Sequence, residues 1–98
     1  MKTTQRTCIY YEIKSPCGHY GLCGTFESTD DALAEINASY IRALERGYDN
    51  KHERWSIVCV KVVRTFLENG DFYKEETTRT LVNTTEFDEY TNTFEFQH

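Results

Sequence analysis

Two cysteines and a histidine lie close together in the stretch SPCGHYGLCGTF, residues 15–26. Cys17, His19 and Cys23 are the side-chain types that hold zinc, and Cys8 or Cys59 offers a fourth ligand. Their spacing lacks the C-x₂₋₄-C pair typical of a zinc knuckle, so the sequence favours a hairpin tip whose thiols bind no metal. A metal or thiol site at these three residues stays an alternative.

The same stretch raises the question of catalysis, because a cysteine beside a histidine can act as a nucleophile. Catalysis also needs an orienting group and an oxyanion site, and the chain has no C-x-x-C or protease motif. The glycines of GHYGLCG lack the Lys-Ser/Thr of a phosphate-binding loop. We therefore expect a protein that is not an enzyme and that uses no cofactor.

The net charge of −5 is spread unevenly along the 98 residues. Residues 1–67 hold nine Lys/Arg and eight Asp/Glu, whereas residues 68–98 hold two Lys/Arg and eight Asp/Glu. No cationic stripe is present to replace phosphate counterions, so we expect no direct nucleic-acid binding. An acidic C-terminal third suits a partner with a basic surface.

Length and hydropathy predict one domain, residues 1–98, with an interior of its own. The N-terminus MKTTQRTCIYYEIK has no apolar signal region, and the apolar runs are too short for a membrane span. We expect a cytoplasmic protein without membrane contact, in which a reducing environment keeps the cysteines as thiols.

The first two predicted elements form a β-hairpin. Residues in TCIYYEIK alternate between apolar and polar, which is the period of a half-buried strand. A turn centred on Cys17-Gly18 would pair Ile13 with Leu22, Tyr11 with Gly24 and Ile9 with Phe26. The residues predicted on the core face are Ile9, Tyr11, Ile13, Leu22 and Phe26.

A helix is predicted from Thr29 to Arg46. Ser28 or Thr29 caps its N-terminus, and Gly47 ends it in the left-handed conformation. Apolar residues recur every three or four positions and predict the buried stripe Leu33, Ile36, Tyr40, Ile41 and Leu44.

A second hairpin is predicted around Asn69-Gly70, because that dipeptide suits a type I′ turn. This turn would pair Phe66 with Tyr73, Arg64 with Glu75 and Val62 with Thr77. The incoming strand SIVCVKVV is apolar enough to be central, with Cys59 in the core, and the outgoing strand FYKEETTRTLV is polar enough to be an edge. The expected fold is α+β, in the order β-β-α-β-β, with an antiparallel sheet of about four strands and one helix across one face.

The segment 83–98 is acidic and aromatic, and it is either another short strand or a tail. Its aromatic side chains would either anchor a partner or complete the protein's own core, with Phe94 and Phe96 the core candidates. We assign partner binding to residues here and to two tyrosines near the first hairpin: Glu86, Phe87, Asp88, Glu89, Tyr90, Tyr10 and Tyr20.

Three hypotheses for function follow. The leading one is a protein-binding module, an inhibitor or adaptor, that presents its acidic third to a basic protein. In size and composition such a chain resembles accessory proteins of phages and other mobile elements, some of which act by binding. The alternatives are a homo-oligomeric module that pairs through its polar edge strand or its C-terminal segment, and the cysteine–histidine site described above.

Overall fold

The computed structural model describes residues 2–15 and 22–97, which form one helix and five strands. In chain order the elements are β1 (Thr3–Lys14), β2 (Leu22–Phe26), α1 (Thr29–Glu45), β3 (Ser56–Leu67), β4 (Phe72–Asp88) and β5 (Thr93–Phe96). The strands form an antiparallel sheet in the order β2-β1-β3-β4-β5. The α+β class and the helix are confirmed. The sheet has one strand more than expected, because the C-terminal segment is the end of β4 followed by β5.

The β1–β2 hairpin keeps only part of its predicted register. Ile13 pairs with Leu22 as predicted, but Tyr11 pairs with Phe26 and not with Gly24. The register shifts between these two pairs, where Gly24 adopts a φ of +108°, a value that glycine takes without strain. The shift leaves Ile9 beyond the end of β2 and 54% exposed, so its predicted place in the core is wrong. The predicted turn centre lies outside the described residues.

The helix begins and ends as its local sequence predicts. The Ser28 hydroxyl accepts the Asp31 N–H at 3.1 Å, and Asp30 lies in the first turn, where the helix dipole favours negative charge. At the other end Gly47 has a φ of +80°, and the Tyr48 N–H donates to the Ala43 carbonyl at 2.9 Å. These local interactions confirm the predicted bounds to within one residue.

The helix buries a shorter stripe than predicted. Its buried residues are Ala32, Ile36 and Tyr40, whereas Ile41 and Leu44 are exposed. The core cluster takes no residue of α1 beyond Tyr40, so the last turn of the helix lies outside the core. The prediction that Ile41 and Leu44 join the core is therefore wrong. The members of the cluster on this face of the sheet are Ile13, Ala32, Ile36, Tyr40, Trp55, Ile57 and Phe94.

The β3–β4 hairpin turns through three residues and not through the predicted two. The Gly70 N–H donates to the Leu67 carbonyl at 2.8 Å, and Gly70 alone of the pair Asn69-Gly70 has a positive φ. Phe66 therefore pairs with Phe72, and the predicted pairing with Tyr73 is wrong. A bulge at Tyr73 shifts the register back by one residue. Beyond it the predicted pairs of Arg64 with Glu75 and Val62 with Thr77 are confirmed.

Parts of β1, β3 and β4 extend beyond the helix as a three-stranded ribbon, residues 3–10, 60–67 and 72–79. The radius of gyration is 17.4 Å, against about 13 Å for a compact domain of this length. On the face away from the helix, Val58, Val60 and Val62 pack under Tyr10. Exposed ion pairs flank them, with Arg64 Nε 2.8 Å from Glu75 and Arg79 3.5 Å from Glu12. The hydrogen bond and the charge of Glu75 raise the pKa of Arg64, so Arg64 is a permanent cation.

Strand β4 changes partner at Thr85, a fully buried residue. Before this point it pairs with β3, and from Thr85 to Asp88 it pairs with β5. The Thr85 hydroxyl accepts the Trp55 N–H at 3.1 Å, and the Thr85 N–H donates to the Trp55 carbonyl at 2.9 Å. Both main-chain polar groups of Trp55 are thereby satisfied where the strand bends into the C-terminal hairpin.

The side chain of Asn37 fastens β5 to the helix. Its Nδ2 donates to the Phe94 carbonyl at 3.1 Å, and its Oδ1 accepts the Phe94 N–H at 2.6 Å. The two main-chain groups of a residue in an antiparallel strand point to the same edge, so both groups of Phe94 face away from β4. The amide of Asn37 takes the place of a neighbouring strand at this edge.

We expect Asn37→Ala to lower the free energy of unfolding by about 1–2 kcal/mol, measured by urea denaturation. Two half-buried main-chain groups lose their partner, which costs roughly 1–3 kcal/mol, and the higher helix propensity of alanine returns about 0.6 kcal/mol. The control is Glu35→Ala, which removes an exposed pair with Arg42 on the same helix and should change stability by less than about 0.5 kcal/mol. Equal effects of the two substitutions would contradict the role given to Asn37.

We expect Thr85→Val to destabilise the protein by about 1–3 kcal/mol in the same measurement, because the buried Trp55 N–H loses its acceptor while the side-chain volume hardly changes. Thr85→Ser is the matched control, since it keeps the hydroxyl and removes one methyl group. If the serine variant were the less stable of the two, packing and not the hydrogen bond would hold the bend.

Candidate functional site

The C-terminal candidates divide between the core and the surface of the β4–β5 hairpin. The Phe87 ring lies 5.1 Å from the Tyr40 ring and 5.3 Å from the Phe94 ring, centroid to centroid. Phe94 is buried and Phe96 packs against the same cluster. These three phenylalanines build the protein's own interior, and of the aromatic candidates in this segment only Tyr90 is fully exposed.

Four carboxylates cover the outer side of this hairpin. Glu86 lies directly opposite Glu95, and Asp88 follows on the same face by strand alternation. Glu89 is the first residue after β4 and is exposed. We call Glu86, Asp88, Glu89 and Glu95 the acidic hairpin surface. With Phe87 and Phe96 these four residues line a concavity of about 470 Å³.

Among the described residues, no Lys, Arg or His nitrogen lies within 4.0 Å of these four carboxylates. Directly opposed residues of an antiparallel pair have Cβ atoms roughly 4.5–5.5 Å apart, and like charges in that position destabilise the pair. The acidic hairpin surface therefore holds charge that the described residues do not neutralise.

The turn of the hairpin is held by side chains that also shape this surface. Asp88 Oδ1 accepts the Tyr90 N–H at 2.8 Å, which is an Asx turn. Asn92 adopts the left-handed conformation with a φ of 56°, where asparagine is tolerated. The Thr91 hydroxyl lies 2.7 Å from that of Thr93. This geometry places Tyr90, which is fully exposed, in the turn of the hairpin.

A second concavity, of about 210 Å³, adjoins the first and shares Glu86, Phe87 and Glu89 with it. Its other wall is the loop before β3, with Lys51, His52, Glu53 and Arg54. The hairpin thus carries carboxylates alone on one flank and faces a mixed, largely basic loop on the other. A ligand on the first concavity meets negative charge and two aromatic edges.

Of the two remaining partner-binding candidates, the one that the structure describes does not join this surface. Tyr10 packs on the valines of the face away from the helix, in the same row as Val60 and Arg79. That row is seven residues from Glu86 along β4, or roughly 23 Å at 3.3 Å per residue. Tyr20 lies outside the described residues.

The cysteine–histidine site stays a prediction, because the described residues do not include its three side chains. Cys17 and His19 lie outside the described residues, as does the side chain of Cys23. Cys8 is exposed and Cys59 is half-buried, and strand alternation places them on opposite faces of the sheet. They therefore cannot be two ligands of one ion. Within residues 2–15 and 22–97 no three His, Cys, Asp or Glu side chains are arranged to hold a metal.

Asn37 was missed from the sequence, and Glu95 was noticed in the acidic segment without its position opposite Glu86. Asn37 lies four residues after Leu33 and three before Tyr40, so it is a polar residue on the apolar stripe of the helix. A polar residue on the apolar stripe of a helix indicates a buried polar contact, so the sequence did carry a signal for the role of Asn37. No sequence pattern predicts that Glu95 lies opposite Glu86, because this position depends on the turn at residues 89–92.

The one helix of the described residues, α1, is not long and apolar enough to cross a membrane. Comparisons of the chain with models of protein families, with curated proteins and with solved structures find no match. The chemistry of the acidic hairpin surface is therefore the basis on which a function can be argued.

Proposed function

We propose that this chain is a non-enzymatic protein-binding module, an inhibitor or adaptor, that receives a basic surface of a partner protein on the acidic hairpin surface. The observation that carries the proposal is the direct opposition of Glu86 and Glu95. No cation among the described residues lies within ion-pair distance of either glutamate.

Stability of the free protein does not account for this arrangement. A lysine in place of Glu86 or Glu95 would turn a repulsive cross-strand pair into an attractive one. Two other carboxylates of the acidic third are paired, Glu75 with Arg64 and Glu76 with Lys74. An arginine or lysine from a partner would supply the missing counter-charge, and the uncompensated field would speed the encounter.

The aromatic residues of the hairpin fit the same kind of partner. Phe87 and Phe96 line the acidic concavity, and Tyr90, the next residue after Glu89, is fully exposed. Arginine and lysine have apolar stems with cationic heads, and arginine also stacks on aromatic rings. The site therefore offers rings for the stem and carboxylates for the head.

We expect Glu86→Lys/Glu95→Lys to reduce partner capture at least about tenfold, since like charges then face each other across the interface. The measurement is quantitative mass spectrometry of proteins captured by the tagged full chain from cells that express it naturally. Raising the salt from about 0.1 to about 0.5 M should weaken capture by the unaltered chain, because the Debye length falls.

The matched control is Glu45→Lys/Glu68→Lys, which changes the net charge equally at two exposed carboxylates away from the hairpin. It should capture the same proteins as the unaltered chain. Equal loss from both double variants, or capture that ignores both salt and the hairpin charges, would refute the assignment of the site.

We also expect the single substitution Glu95→Lys to raise the free energy of unfolding by about 0.2–1 kcal/mol, because it replaces a repulsive cross-strand pair by an attractive one. Urea denaturation at low salt measures the change, and Glu68→Lys, outside any ion pair of the described residues, is the control. A Glu95→Lys protein that is less stable than the unaltered chain would show that Glu86 and Glu95 do not repel each other.

A further inference from the structure

The outer edge of β4 is open over most of its length. β3 covers one edge from Phe72 to Thr84, and β5 covers the other edge only from Thr85 to Asp88. No described residue pairs with the outer edge from Phe72 to Val82. An open strand edge presents main-chain N–H and C=O groups to any strand that can pair with it.

We propose that two copies of this chain pair antiparallel through these edges as a dimer with two-fold symmetry, centred on Thr77. The two sheets then join into one continuous sheet, with β4 beside β4. The dimer uses the ribbon and leaves the acidic hairpin surface free, so it is independent of the function proposed above. We assign a second copy of this chain to the edge because the charged residues of one copy can lie opposite residues of opposite charge in the other.

The charges of this edge match only in that register. Pairing centred on Thr77 places Glu75 of each copy opposite Arg79 of the other, twice by symmetry. All four side chains lie on the face away from the helix, and each already has a partner of its own, Arg64 or Glu12. The dimer therefore builds two rows of alternating charge, Arg64–Glu75 from one copy and Arg79–Glu12 from the other.

Neighbouring registers lack this match. Directly opposed residues of an antiparallel pair share a face, so the two-fold axis passes through a residue that lies opposite its own copy. The alternative registers therefore differ in which residue of β4 lies at this centre. A centre at Glu76 places Glu76 opposite itself, and a centre at Glu75 does the same for Glu75. A centre at Thr78 opposes Glu75 to Leu81, and a centre at Arg79 opposes two arginines. Like charges directly opposite each other destabilise a strand pair.

The apolar side chains at the two ends of the edge support the same centre. Phe72 and Tyr73 are 59% and 53% exposed at one end, and Leu81 and Val82 are 60% and 43% exposed at the other. The ladder of β4 is regular between the irregularities at Tyr73 and Val82, and pairing centred on Thr77 brings each apolar end of one copy beside the opposite apolar end of the other. The four large apolar residues that solvent reaches in each copy thereby gain apolar neighbours at both ends of the pair.

The length of the open edge also suits this centre. Thr77 is the midpoint of residues 72–82, the turn at Gly70 ends the run on one side, and the Gln97 N–H bonded to the Thr84 carbonyl at 2.8 Å ends it on the other. The outer edge of β1 before Tyr10, by contrast, carries a single charged residue, Arg6. Antiparallel pairing near its centre brings Arg6 close to its own copy, which is unfavourable.

Sedimentation equilibrium of the full chain, under reducing conditions so that exposed Cys8 forms no cross-link, tests the proposal. Between about 5 and about 500 µM the mass of the unaltered chain should rise from one copy towards two. Glu75→Lys and Arg79→Glu should each weaken dimerisation at least about tenfold, because each sets like charges opposite each other twice. An equimolar mixture of the two variants should dimerise again, since both cross-copy pairs are then attractive.

Recovery of dimerisation in the mixture distinguishes an interface from a structural role. Each variant still lacks an ion pair within its own chain there, so only the contact between copies has been restored. Reversal of either member of the exposed helix pair, Glu35→Lys or Arg42→Glu, is the control and should leave dimerisation unchanged. An unaltered chain that keeps the mass of one copy throughout would overturn the proposal. Single variants that dimerise as well as the unaltered chain, or a mixture that stays monomeric, would overturn it equally.

Discussion

The hydrogen bonds between Thr85 and Trp55 determine where β4 leaves the ribbon and enters the C-terminal hairpin. At this buried point the strand leaves β3, and its last four residues pair with β5. The hairpin then needs an attachment of its own, which Phe94 supplies through its ring in the core and its main chain on Asn37. Without this bend the outer edge of β4 would have no β5 beside it and the acidic hairpin surface would not form.

The bend also separates the acidic third of the chain into two parts with different electrostatics. In the ribbon, Glu75 and Glu76 are paired with Arg64 and Lys74, and the open edge of β4 carries two charges of each sign. In the hairpin the four carboxylates have no cationic partner among the described residues. A neutral edge with alternating charges favours self-pairing, whereas an uncompensated negative surface favours a basic protein. The two surfaces therefore suit different occupants.

Local interactions explain which parts of the fold could be predicted from the sequence. The helix is bounded by Ser28 and Gly47, whose capping contacts lie within a few residues. Arg64 lies opposite Glu75 as predicted because the bulge at Tyr73 offsets the three-residue turn. The errors in the predicted strand pairing arise where a turn or a bulge shifts the register. The three-residue turn at Gly70 and the bulge at Tyr73 shift the register in opposite directions, and Gly24 displaces Phe26 by two residues. Neither shift has a signal in hydrophobic periodicity.

The site was predictable in residue type but not in geometry. The composition of residues 83–98 indicated an acidic and aromatic surface, yet core and anchor aromatics look alike in a sequence. Only the packing of the hairpin against Tyr40 assigns Phe87 and Phe94 to the interior. The opposition of Glu86 and Glu95 likewise depends on a turn that Asp88 and Asn92 define together. Tyr10 was grouped with these residues although it lies on a different part of the sheet.

The most direct measurement of the central claim is a proton–nitrogen NMR titration of the full chain with a hexa-arginine peptide, at about 0.1 M salt so that screening stays moderate. The account predicts saturable shifts of the amides from residues 85–96, with smaller shifts in the adjoining loop 51–54, and their loss at high salt. Shifts centred on the ribbon or the helix, or no shifts in the hairpin, would contradict it.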